Sequence, residues 1–159
     1  MALTRLSDVL WRERTLLDLL LFKLEEEQMI LTSGRSRWLG HATREVESVL
    51  EEIRSAEIGR AAEADAVAAL LGLEPGASLG ELAAHAPAPW DELLRAHRDA
   101  FASLTAEIGT LADGNRELLA MSHRATQETL LSLQEVHTYD GSGQAASAAP
   151  TAQLVDRSF

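Results

Sequence analysis

Five histidines, His41, His85, His97, His123 and His137, carry the most obvious potential chemistry of this chain. A metal held on a helix needs ligands one turn apart, and two pairs have that spacing: His41 with Glu45, and Glu81 with His85. Neither forms a His-Glu-x-x-His or Glu-x-x-His pattern, and no cysteine is present to supply a thiolate. Such pairs arise readily by chance on acidic helices, so neither a metal nor a cofactor is expected. His97 raises a second chemistry, phosphoryl transfer from an imidazole on a bundle helix. The Lys-Gly pair that normally follows such a histidine is missing from "AHRDAFAS". A Gly-rich phosphate loop, a Ser-x-x-Lys motif and a Gly-x-Ser-x-Gly nucleophile are missing too. The residues give an enzyme nothing to work with.

They offer instead a large amount of apolar helix surface. The chain has 159 residues, enough for one domain with a core. It is 46% hydrophobic but only 4% aromatic, with alanine and leucine making up much of the balance. Those are helix formers, so an all-α fold is expected. A net charge of −11 argues against nucleic acid, whose phosphates need a basic face. Asp8, Arg12, Glu13, Arg14 and Asp18 interrupt the N-terminal leucines, so no signal peptide is expected. No stretch reaches the roughly 20 apolar residues of a membrane span. The expectation is a cytoplasmic protein that does not insert into membranes.

Leu3, Leu10, Leu17, Leu24, Leu31 and Trp38 recur every seventh residue, the stripe of a helix–helix seam on a helix of about Thr4 to Thr32. Leu6 and Leu20 occupy the companion position, where Glu13 and Glu27 read as breaks. Leu16, Leu19, Leu21, Phe22 and Ile30 lie off the seam and widen the face toward a second neighbour. Gly34 suits a left-handed residue just past the helix, and Ser36 the N-cap of the next. A hairpin is therefore expected, with one kinked continuous helix as the alternative. The second helix runs to about Leu71 on Leu39, Ala42, Val46, Val49, Leu50 and Ile53. Its Glu45, Glu47, Glu51, Glu52 and Glu57 read as a solvated outer face.

Ser78 and Glu81 have the spacing of a capping box for a short helix from Leu79 to about His85. Pro89 suits the first turn of a third long helix from Trp90 to about Val136, with Gly109 and Gly114 as possible bends. Leu94, Phe101, Leu104, Ile108 and Leu111 share one stripe of it. The whole reads as an antiparallel bundle or coiled coil of three long helices plus one short one. It is expected to occupy residues 1–137, with 138–159 a disordered tail too poor in apolar bulk to order itself. Leu118, Leu119, Met121, Leu130, Leu131, Leu133 and Val136 leave the late third helix open to two readings. They are bundle core, or a stripe awaiting an amphipathic helix from another protein.

Three stretches, "RLSDVLWRERTLLDLL", "LADGNRELLAMSHRATQETLLSL" and "TYDGSG", resemble the FlgN family of flagellar export chaperones in order, spacing and overall length. The most specific part is "NRELL", Asn115 to Leu119, followed by Tyr139 and Gly143. The resemblance implies a non-enzymatic cytoplasmic chaperone for the hook–filament junction proteins FlgK and FlgL. It implies that terminal amphipathic helices of these clients are held by Asn115, Leu118, Leu119, Leu130, Leu131, Leu133 and Val136. It further implies delivery to the cytoplasmic domain of FlhA in the export gate, with Tyr139 contributing to docking. The connection 72–89 and the end of the tail have no role in that picture. The rival reading is a structural coiled-coil protein without an export role; either one allows a homo-oligomer.

Overall fold

A computed structural model describes the backbone of residues 1–141 and the side chains of residues 1–138. Four α-helices and one 3-10 turn make up the described residues: α1 (Ala2–Ser33), the turn Ser36–Trp38, α2 (Leu39–Leu70), α3 (Leu79–His85) and α4 (Trp90–Gly141). The fold is all-α, with no strand among the described residues. By its internal contacts the chain divides into two units, Met1–Leu118 and Leu119 onward.

In the first unit α1 and α2 form a hairpin, not a continuous rod. Gly34 adopts φ 70° and ψ 10°, the left-handed geometry that costs an L side chain about 1–2 kcal/mol and glycine nothing. The chain then turns through Ser36–Trp38 before α2 starts at Leu39. Ser36 is therefore not the N-cap of α2; that place falls to Trp38, which makes no side-chain cap. At the other end of α2, Ser78 and Glu81 form the expected capping box. The Ser78 hydroxyl accepts from the Glu81 amide at 3.2 Å, and the Glu81 carboxylate accepts from the Ser78 amide at 2.7 Å.

Two apolar clusters stabilise this unit. One joins Leu3, Leu6 and Leu10 of α1 to Val67 and Ala68 of α2, Leu82 and Ala83 of α3, and Leu94 of α4. The other joins Leu16, Leu20 and Leu24 to Val46, Val49 and Ile53, with Ile108, Leu111 and Ala112 of α4 against them. The pairing runs α1 antiparallel to α2 and parallel to the first half of α4, an up–down–up arrangement. Leu6 and Leu10 are fully buried, and each contributes about 1.5–3 kcal/mol by leaving water.

The buried side of α1 differs from the expected seam. Leu3, Leu10 and Leu24 are buried, whereas Leu17 and Leu31 are half-buried and Trp38 is exposed. The companion position is buried along its whole length: Leu6, Glu13, Leu20 and Glu27 all face inward. Glu13 and Glu27 thus do not break the seam; they carry carboxylates into it. Leu19 and Phe22 do not widen the buried face but lie exposed on the opposite side.

In α4, Gly109 and Gly114 both lie inside the helix, which runs through Gly141, the last described residue and beyond the expected Val136. Thr138 to Gly141, placed by sequence in the tail, are helical. The remaining tail positions, 142–159, lie outside the described residues.

Candidate functional site

The histidine pairs that could hold a metal are engaged in other contacts. His41 Nδ1 lies 3.1 Å from an Arg44 guanidinium nitrogen, beside the Trp38 ring. His85 Nδ1 pairs with the Glu81 backbone carbonyl at 3.0 Å, while the Glu81 carboxylate caps α3. That capping bond from the Ser78 amide holds the Glu81 carboxyl below its usual range. Among the described residues no three His, Cys, Asp or Glu side chains converge as a metal cluster.

His97 is fully buried, so its imidazole cannot meet a phosphoryl donor. It sits between the two apolar clusters in a polar layer crossing all three long helices. Its Nδ1 is 3.4 Å from Arg14 of α1, the Trp11 ring stands edge-on at 4.9 Å, and Nε2 has no partner. Burial, with the Arg14 charge second, pushes the His97 pKa down, so the ring stays neutral. In the same layer Glu13, 2% exposed, pairs with Arg60 of α2 at 3.3 Å, and Arg60 also lies over the Phe101 ring. Burial raises the Glu13 pKa against the lowering pull of Arg60. Sequence reasoning missed this layer. Its signal was Glu13 standing at the companion position with Leu6 and Leu20, where a carboxylate needs a buried partner.

Asn115 belongs to a second polar contact and not to an exposed client face. It is 2% exposed, and its amide donates to the Leu24 carbonyl at 2.9 Å and to a Glu27 carboxylate oxygen at 3.1 Å. Thr43 of α2 donates to the other Glu27 oxygen at 3.3 Å. One carboxylate thus links α1, α2 and α4. Counting in sevens from Leu94 through Phe101 and Ile108 reaches Asn115, a core position where a lone asparagine fixes register.

The other expected client residues are distributed unevenly. Leu118, the last residue of the first unit, is half-buried. In the second unit, every residue from Ala120 to Thr138 is exposed, which includes Leu130, Leu131, Leu133 and Val136 at 56–59%. Leu130, Leu133 and Val136 share one side of the helix, and Leu119, half-buried, returns to that side about three turns earlier. Leu131 points about 100° away from Leu130, among polar neighbours. Between Leu119 and Leu130 the face carries Ser122, Thr126 and Thr129. The two threonine hydroxyls donate back to the carbonyls of Ser122 and Ala125, which satisfies them within the helix. The stripe is therefore leucine-rich at its far end and small in the middle. The side chain of Tyr139 lies outside the described residues.

No helix among the described residues is long and apolar enough to cross a membrane. A family model described as FlgN protein matches residues 1–147, most of the chain and all of its described helices. Comparison with curated proteins and with solved structures gives no significant match.

Proposed function

Because the chain belongs to the FlgN family of flagellar export chaperones, we propose that it holds hook–filament junction proteins of the FlgK and FlgL type and brings them to the export gate. The observation that carries this reading is the exposed stripe of Leu130, Leu133 and Val136, continued upward by Leu119. A helix face of that kind gains by accepting another amphipathic helix, whose anchors recur at steps of three and four. The terminal segments of the clients are the proposed occupants. The face consists of Leu119, Leu130, Leu133 and Val136, all of the second unit. Asn115 and Leu131 do not belong to it, the first because it is buried and the second because it points elsewhere. The chaperone makes no covalent change in its client; shielding the apolar segment from premature assembly is its whole action.

Delivery is proposed to use the cytoplasmic domain of FlhA, with Tyr139 as a small aromatic anchor. Aromatic side chains are the kind of residue that dominates a small interface. Binding of the purified chaperone to peptides from the client termini tests the first step. Saturable binding by the wild type, lost in Leu130→Glu with Leu133→Glu while the helical spectrum stays intact, is the expected result. Normal binding by that double variant would remove the stripe from the reading. For the second step, Tyr139→Ala should keep client binding but weaken calorimetric binding to the FlhA domain, and equal affinity would exclude that role.

A further inference from the structure

The turn end of the α1–α2 hairpin carries a charge opposite to that of the chain. None of the 25 Asp and Glu residues falls between Glu27 and Glu45, whereas Arg35, Arg37 and Arg44 do, in a chain of net charge −11. All three arginines are exposed. Arg5, Arg54, Arg60 and Arg95 each hold a carboxylate, but these three pair with none among the described residues. Arg37 lies over the Trp38 ring at 4.7 Å, the Trp38 and His41 rings are 5.8 Å apart, and His41 Nδ1 is 3.1 Å from Arg44. Glu45, the first carboxylate past this row, is taken by Lys23 at 2.8 Å. Trp38 is 45% exposed, and with Gly34, Arg35, Ser36 and Arg37 it lines an open hollow of about 390 Å³.

We propose that this end of the hairpin is a docking site for an acidic segment of another protein. A guanidinium without a partner donates two parallel hydrogen bonds to a carboxylate, a geometry that a planar fork holds ready. Trp and Arg are also the residues that most often carry a protein interface. The hollow beside Trp38 has room for one apolar side chain of the segment. A bilayer surface calls for a cluster of about 4–8 Lys or Arg, and three fall short of it. Nucleic acid is disfavoured by the carboxylates of the rest of the chain. Those same carboxylates repel an acidic partner everywhere else, so its encounter is steered to this end. The patch belongs to the first unit and the client stripe to the second, so the proposal does not rest on the client reading.

Fluorescence anisotropy of a short labelled peptide of Glu and Asp with one central Leu, titrated with the full chain, tests the assignment. Saturable binding that weakens with salt is expected, and none for the same peptide with Gln and Asn in place of its acids. Arg35→Glu with Arg37→Glu should weaken binding about tenfold or more, and Trp38→Ala should weaken it too, with the helical spectrum unchanged. Arg12→Glu with Arg124→Glu changes the net charge equally at two exposed arginines elsewhere and should have little effect. Equal losses in the two double variants would reduce the attraction to net charge and overturn the proposal. So would failure of the acidic peptide to bind. Phosphatidylglycerol vesicles that bind in its place, and lose the chain on Arg35→Glu with Arg37→Glu, would give the surface to a membrane instead. Client peptides should bind that double variant as they bind the wild type. Their loss would make the patch part of the client site and overturn its separate role.

Discussion

The Asn115 side-chain amide of α4 donates to the backbone carbonyl of Leu24 on α1 at 2.9 Å, out of reach of solvent. The same amide reaches Glu27, so a single side chain fixes both the rotation and the height of α4 against α1. Asn115→Ala leaves the Glu27 carboxylate with Thr43 alone and should cost about 1–3 kcal/mol. Urea denaturation checks the loss. Client affinity, measured where the variant is folded, should be unchanged; a fall comparable to that of the Leu130 and Leu133 variant would return Asn115 to the client face.

Leu24 and Leu17 share the heptad stripe but not the same degree of burial. Leu24→Ala should cost about 2–5 kcal/mol, as buried leucine truncations do, and Leu17→Ala clearly less. Thermal melts of the two variants side by side decide the point. Equal losses would mean that α1 is rotated toward the Leu17 side.

Leu130 and Leu131 are equally exposed but differ in direction. Leu130→Glu should therefore weaken client binding by about tenfold or more, and Leu131→Glu only slightly. Titration of a labelled client peptide distinguishes them. Equal effects would mean that the client wraps around the helix and does not lie along one side.

The polar layer predicts a pH response. Burial lowers the His97 pKa, so below the ordinary imidazole value of about 6.5 the unfolded chain takes up a proton that the folded chain refuses. Stability from this group is present above that pH and is lost as pH falls toward the depressed folded value. Glu13 acts in the opposite sense. Its raised pKa means that the folded state gains its proton first, adding stability as pH falls from the raised value toward the ordinary glutamate range. Melting temperature followed from neutral to mildly acid pH should fall in the wild type. In His97→Leu that fall should flatten or reverse. An unchanged slope in the variant would assign the response to other groups.

Much of the framework was legible in local chemistry. Gly34 ends α1 because a left-handed turn was needed there, and Ser78 with Glu81 carry their capping geometry in their spacing. The heptad leucines told that α1 is a seam, but not which of two adjacent phases lies deepest. That depends on the partners: Arg60 arrives from α2 to meet Glu13, and Asn115 from α4 to meet Glu27. A carboxylate in a leucine repeat reads as an interruption until such a distant partner is known. The same ambiguity affected Leu19 and Phe22, since α1 has apolar residues on both sides. The client stripe was legible as excess leucine, while its direction came from helix phase, which separates Leu131 from Leu130.

Contacts between α1 and α2 grow longer in sequence with distance from the turn at Gly34, from Leu24 with Val46 near it to Leu3 and Leu6 with Val67 and Ala68 at the far end. Loop closure is cheapest for the pairs beside Gly34, so the hairpin is expected to close from there, with the ends meeting last. A Cβ at Gly34 would touch nothing within 4 Å, so a replacement strains only the backbone. Its effect therefore reaches the rate of hairpin closure, because the turn is formed before the leucines beyond it have anything to hold.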